Sequence, residues 1–183
     1  MKLKRIARVA LSLLILYPLA SAQSKPANAR GAVETFFSLL RSQKYDALYD
    51  FLPSQFQQQT NREQLAQSLK RLNAYLLIEK LEIGRVQERG EYAVIDTTIY
   101  GTLKQPIKLN EAEIKEGRVS VQQFLFRENG QWKLATADNR TQTFFLQRNP
   151  EFNKQFQITR PRFEFKQNGK WEALGQRAIS RKQ

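Results

Sequence analysis

Apolar residues recur at three- and four-residue steps as far as Tyr75 and at every second position after it. This change of period confines the chain to helices followed by strands. Val33, Phe36, Phe37 and Leu40 form a first helical stripe that starts near Arg30. Tyr45, Leu48, Tyr49 and Leu52 form a second, which Pro53 ends. Thr60 or Asn61 can cap a third helix, with Glu63 in its first turn and Leu65, Leu69 and Leu72 on its buried face. The glutamine-rich stretch from Ser54 to Ser68 reads as a solvated loop and helix face.

Beyond Tyr75, residues 77–88 predict a strand with a bulge at Gly84, where the register of Leu81 and Ile83 slips to Val86. A turn at Arg89-Gly90 leads into a strand over 91–103. Ala93, Ile95, Thr97 and Ile99 lie on one face of it, and Tyr92, Val94, Asp96, Thr98 and Tyr100 on the other. Pro106 argues for an edge or a loop in residues 104–117. Residues 118–128 and 131–137 then read as a hairpin closed by Asn129-Gly130. The expected class is α+β, three N-terminal helices packed on a curved antiparallel sheet.

Residues 1–22 carry Lys2, Lys4, Arg5 and Arg8 ahead of an apolar run from Val9 to Tyr17, then Pro18 and the small residues Ala20, Ser21 and Ala22. That is the layout of a secretory signal peptide, and the run falls short of the roughly 20 residues that span a bilayer. The expected product is exported, periplasmic or extracellular, with no transmembrane segment after cleavage and with 23–29 as a tether. Cleavage takes four cations and no anions from the net charge of +13, leaving +9. Residues 23–138 hold 16 Lys and Arg against 14 Asp and Glu, whereas 139–183 hold 10 against 3. The basic character therefore belongs to a C-terminal extension over 139–183. With no cysteine and no histidine, the chain has no disulfide, no thiol or Ser-His-Asp nucleophile and no usual zinc site. No cofactor is expected, and any catalysis would fall to carboxylates, tyrosines, lysines or a metal bound through oxygen.

Tyr45 and Leu48 in the second helix, and Gly130, Trp132 and Lys133 at the end of the meander, resemble the nuclear transport factor 2-like superfamily (SnoaL-like, cystatin-like α+β cone) over about residues 30–138. The resemblance implies a curved sheet closing on an apolar pocket, in which Tyr45, Tyr49, Tyr92, Tyr100 and Trp132 are the candidate pocket residues. In members that isomerise steroids or cyclise polyketides, a strand carboxylate acts as base beside tyrosines. By that analogy Asp96 is the candidate base and Tyr100 its oxyanion donor, with Tyr92, Tyr45 and Tyr49 around the same cavity. The simpler reading makes Tyr92, Asp96, Thr98 and Tyr100 the solvated outer face that a half-buried strand must have.

A near copy of the stretch from Phe126 to Leu134 stands at Phe165 to Leu174, sharing Asn-Gly and the tryptophan. Two-residue type I′ turns would set Arg127 opposite Trp132 and Lys166 opposite Trp171. The second hairpin either extends the sheet or, with Phe144, Phe145, Phe152, Phe156 and Trp171, presents an aromatic and basic surface. Arg140, Arg148, Arg160, Arg162, Lys166 and Lys170 would then meet an anionic partner. The functional expectation is an exported, non-enzymatic binding or accessory protein of the cell envelope. Its expected partners are an anionic envelope polymer, an anionic lipid surface or a small apolar ligand. A carboxylate-dependent isomerase or cyclase built on Asp96, and a structural homodimeric subunit, are the alternatives.

Overall fold

The computed structural model describes residues 26–109, 112–135 and 139–173. The expected signal peptide over 1–22 and the last ten residues of the extension lie outside the described residues.

Helix α1 spans Ala29–Arg41 and starts where the Asn28 side chain accepts a hydrogen bond from the Gly31 backbone N–H at 2.8 Å. A short α2, Tyr45–Leu48, runs into a single 3₁₀ turn, Tyr49–Phe51, as expected before Pro53. The stretch expected to be a loop then holds a further short helix, α3 (Ser54–Gln57), because Phe56 is buried and anchors it. Helix α4, Arg62–Tyr75, opens with a complete capping box in which Asn61 and Gln64 satisfy each other's backbone N–H groups. Asn61→Ala removes the cap and is expected to lower stability by about 1 kcal/mol, read as a shift in urea midpoint at unchanged slope.

The stripe on α4 is shorter than its periodicity suggests. Leu65 and Leu69 pack with Leu39, Tyr45, Leu48 and Ala66, but Leu72 is 45% exposed. The helix outruns the layer it packs on, so its last apolar position faces solvent.

Strands β1 (Leu76–Arg89), β2 (Tyr92–Leu109), β3 (Ala112–Glu128), β4 (Gln131–Leu134), β5 (Arg162–Gln167) and β6 (Lys170–Ala173) form one antiparallel sheet. The expected bulge in β1 is present, a register shift between Ile83 and Val86, and a second lies between Ile78 and Lys80. Arg89 pairs with Tyr92, so the turn residues are Gly90 and Glu91, one place later than expected. Pro106 lies inside β2, in the register gap between Thr102 and Ile107. It also lies past Leu103, where β1 no longer pairs, so the missing N–H breaks no ladder there.

One edge of β3 is taken by β2 along its length, from Tyr92–Phe126 to Leu109–Ala112. The other edge is shared: β4 pairs with Leu125 to Glu128, and β5 pairs with Gly117 to Ser120. β3 is itself the first strand of the Asn129-Gly130 hairpin, so its free edge is divided between its own partner β4 and the similar second hairpin. Both close through left-handed Asn-Gly pairs, Asn129 and Gly130 at φ 51° and 73°, Asn168 and Gly169 at φ 49° and 76°, the geometry of type I′ turns. Arg127 faces Trp132 and Lys166 faces Trp171 across their hairpins, as the spacing predicts. The tryptophans nevertheless emerge on opposite faces of the sheet. Trp132 packs with Ala93, Ile95 and Leu125 under α1, whereas Trp171 stands beside Tyr100 on the other side.

That other side is where helices α5 (Asn139–Arg148) and α6 (Pro150–Gln155) lie. Phe145, Phe152 and Phe156 pack on Val94 and Phe124, with Phe152 centred 4.9 Å from both Phe124 and Phe156 and 5.0 Å from Phe145. Ala93, Val94 and Ile95 are consequently all 0% exposed, because β2 is covered on both faces at this end.

The expectation of a cone is overturned. The sheet is open, with β1 and β6 at its two ends and no pairing between them, and it does not curl round on itself. Closure over an apolar cavity would need one bare concave face. Here α1 fills that face with Val33 and Phe37, and the opposite face holds its own apolar layer.

Candidate functional site

Away from α5 and α6, the Val94 face of the sheet is polar. Rows of cross-strand neighbours run Lys80–Tyr100–Arg118–Glu164, Glu82–Thr98–Ser120–Arg162 and Asp96–Gln122. The segment between α6 and β5 rises beside these rows. Together they enclose a groove of about 570 Å³ lined by Glu82, Arg85, Asp96, Thr98, Ser120, Gln122, Thr159, Arg160 and Arg162, among others.

The bulge after Ile83 places Arg85 over the groove, its Nε 3.6 Å from the Asp96 carboxylate. Asp96 also accepts a 3.1 Å hydrogen bond from Gln122 Nε2, and Gln122 Oε1 accepts from the Thr159 backbone N–H at 2.9 Å. Buried Gln122 thus ties the rising segment to the sheet. Thr98 and Ser120 share a hydroxyl contact at 3.2 Å on the floor. Glu82 is engaged by Lys80 Nζ at 2.7 Å and by the Tyr100 hydroxyl at 2.8 Å. Those two contacts, the ammonium first, hold its carboxyl below the usual glutamate range.

Beyond the groove, the Glu164 side chain is 3% exposed and receives two guanidinium bonds from Arg118, at 2.8 and 3.1 Å, and one from Arg162 at 2.8 Å. The Arg118 contact lowers the Glu164 carboxyl and raises the guanidinium. Arg118 in turn lies over Trp171, 4.5 Å from the ring centroid. This cluster fastens the second hairpin to β3.

The residues expected around one pocket are dispersed. Tyr45 is buried in the helical layer with its hydroxyl unpartnered, and burial pushes that phenol up. Tyr49 donates to the carbonyls around the turn after α3, at Gln57 (3.0 Å) or Thr60 (3.2 Å). Tyr92 lies edge-on to Phe152 and donates to Asn149 at 3.3 Å. Trp132 belongs to the core under α1, with Arg127 stacked on it at 4.7 Å. Tyr100 shares a face with Asp96, but its hydroxyl is turned to Glu82. Among the described residues no tyrosine hydroxyl bonds Asp96, whose side chain is 40% exposed in an open groove. No group of three or more carboxylates among the described residues is placed to hold a metal ion, and no helix among them is long and apolar enough to cross a membrane.

Comparison places the chain in no family. No family model matches it, and no curated protein is similar in sequence. The structure is similar to that of a SEC-C motif-containing protein from Rhodopseudomonas palustris, with a TM-score of 0.45 and 8% identity over 60% of this chain and 77% of that one. At that level the likeness carries no argument. The nuclear transport factor 2-like description, with its SnoaL-like and cystatin-like terms, is accordingly withdrawn: nothing in these comparisons supports it, and the open sheet contradicts it.

The expected cations fall into three groups. Arg160 and Arg162 line the groove. Lys166 pairs with Glu116 at 2.9 Å and Arg148 stacks on Phe144 at 4.4 Å. Lys170 is exposed on β6, and Arg140 falls in α5, its side chain outside the described residues. Sequence reasoning placed Thr98 on the face of Asp96 without giving it a role, and missed Glu82, Arg85, Ser120, Gln122 and Thr159. The alternation of Arg118, Ser120 and Gln122 with Val119 and Val121 could have shown the polar row on β3.

Proposed function

We propose an exported, non-enzymatic binding protein of the cell envelope that holds an anionic polymer in the sheet groove. The observation that carries this reading is the uneven state of the lining charges. Both carboxylates are engaged, Glu82 by Lys80 and Tyr100 and Asp96 by Gln122 and Arg85. Arg160 makes no ion pair among the described residues and Arg85 makes a single loose one, so their donors remain for an incoming anion. Export rests on the character of residues 1–22.

The test is retention of the mature protein on an anionic envelope fraction as salt rises from about 0.05 to 0.5 M, where the screening length falls to about 4 Å. Wild type is expected to bind and then release. The Arg85→Ala/Arg160→Ala double variant is expected to bind roughly tenfold more weakly at low salt. Equal retention of the two proteins, or retention indifferent to salt, would sink the proposal.

A further inference from the structure

Resting on that reading of the groove, we infer that its ligand is a sparsely charged acidic polysaccharide, one carboxylate flanked by neutral sugars. The first ground is charge density. The lining holds Arg85, Arg160 and Arg162 against Glu82 and Asp96, a surplus of one cation, and Arg162 is already bonded to Glu164. A polymer with an anion on every unit would bring its neighbouring charges against the two carboxylates. A chain with widely spaced anions sets one carboxylate on the guanidinium groups, whose planar donor fork matches it.

Hydrogen-bond chemistry is the second ground. Sugar hydroxyls both donate and accept, and need both kinds of partner within a few ångströms. The groove supplies the Thr98 and Ser120 hydroxyls, which share one contact and keep further capacity, the Thr159 side chain at the rim, and carboxylate oxygens of Glu82 and Asp96 as acceptors. The same carboxylates that repel a dense polyanion therefore serve a polyol.

The third ground excludes nucleic acid. Single strands are held by bases stacked on open aromatic faces. No aromatic ring is among the described residues that line the groove, and beside it Tyr100 and Trp171 meet edge to face at 5.8 Å, with Arg118 over Trp171 at 4.5 Å and Lys80 over Tyr100 at 5.5 Å. Cations and the neighbouring ring already occupy them.

Titration calorimetry at about 0.15 M salt would compare hyaluronan oligosaccharides (one carboxylate per disaccharide), dextran (none), heparin (dense anions) and a single-stranded oligonucleotide. Hyaluronan is expected to bind with a salt slope near that of one contact, dextran at least tenfold more weakly. Arg160→Ala and Thr98→Val, each checked for an unchanged melting temperature, are each expected to weaken hyaluronan severalfold. Tighter binding of heparin or oligonucleotide, with a steep salt slope and lost in Arg85→Ala/Arg160→Ala, would overturn the polysaccharide inference and leave the anion-holding groove standing. Dextran binding as tightly as hyaluronan, or no binding by any probe, would overturn both.

Discussion

Replacing Phe152 with alanine is expected to cost about 3–5 kcal/mol, a large share of the roughly 5–15 kcal/mol that holds a domain together. The ring is 0% exposed and lies at the centre of four other aromatics, Phe124, Phe145, Phe156 and Tyr92. Neighbours packed this closely leave a cavity rather than collapse into it. The check is urea unfolding followed by fluorescence in a Trp171→Phe background, where Trp132, in the opposite layer under α1, is the sole reporter. A variant whose Trp132 transition stays at the wild-type midpoint would show that the second aromatic layer melts by itself. The same packing makes truncation after residue 138 a poor probe of binding. It would uncover Val94 and Phe124 together with removing the cations.

Glu164→Ala is expected to cost about 3 kcal/mol, because it leaves the Arg118 guanidinium without its two charge-assisted bonds beneath the second hairpin. The Arg162 contact contributes little, its side chain being 65% exposed. Acid stability gives an independent reading. Arg118 holds the folded Glu164 carboxyl below the 4.5 of an unperturbed glutamate, so the unfolded chain takes up its proton first as pH falls. The contribution is complete above about pH 5 and is lost as pH drops through 4.5 toward the depressed folded value. Glu164→Gln should therefore show a flatter loss of stability than wild type over about pH 3–5. Parallel acid profiles would show that Glu164 is not held as the geometry implies.

What was legible beforehand was whatever depends on neighbours in sequence. The Asn-Gly turns require two left-handed residues, and few other pairs supply them, so both hairpins and their Trp–cation pairing could be read from the chain. The β1 bulge at Gly84 was legible because Val86 breaks the alternation of Leu81 and Ile83, whereas the shift between Ile78 and Lys80 is hidden in the apolar run Leu76 to Ile78. Layer assignment was not legible. Alternation along β2 separates Ala93 and Ile95 from Val94, but it cannot say that both sets are buried, because the residues that cover Val94 lie some 50–60 positions later, in α5 and α6. Curvature was not legible for the same reason: closure depends on which faces are covered. The groove was half legible. Asp96 and Tyr100 were placed on one face, yet the partners that define its chemistry, Arg85, Gln122 and Thr159, come from a bulge, a neighbouring strand and a connecting segment.

The divided edge of β3 also bears on how the chain avoids a wrong answer. The Asn129-Gly130 turn folds β4 onto the Leu125–Glu128 half of β3, and β5 of the similar second hairpin takes the Gly117–Ser120 half; backbone pairing alone does not distinguish the two halves for β5. Glu164 breaks the tie. Docked in the half that belongs to β4, its carboxylate would lose Arg118 and, on its own face of the sheet, meet the apolar surroundings of Phe124 and Phe126; docked in its own half, it meets Arg118. The buried ion pair thereby favours one berth for the second hairpin, a role in which specificity matters more than net stability. A chain lacking that pair is exposed to swapped and misregistered hairpins, including exchange with a second molecule whose β3 edge is momentarily bare.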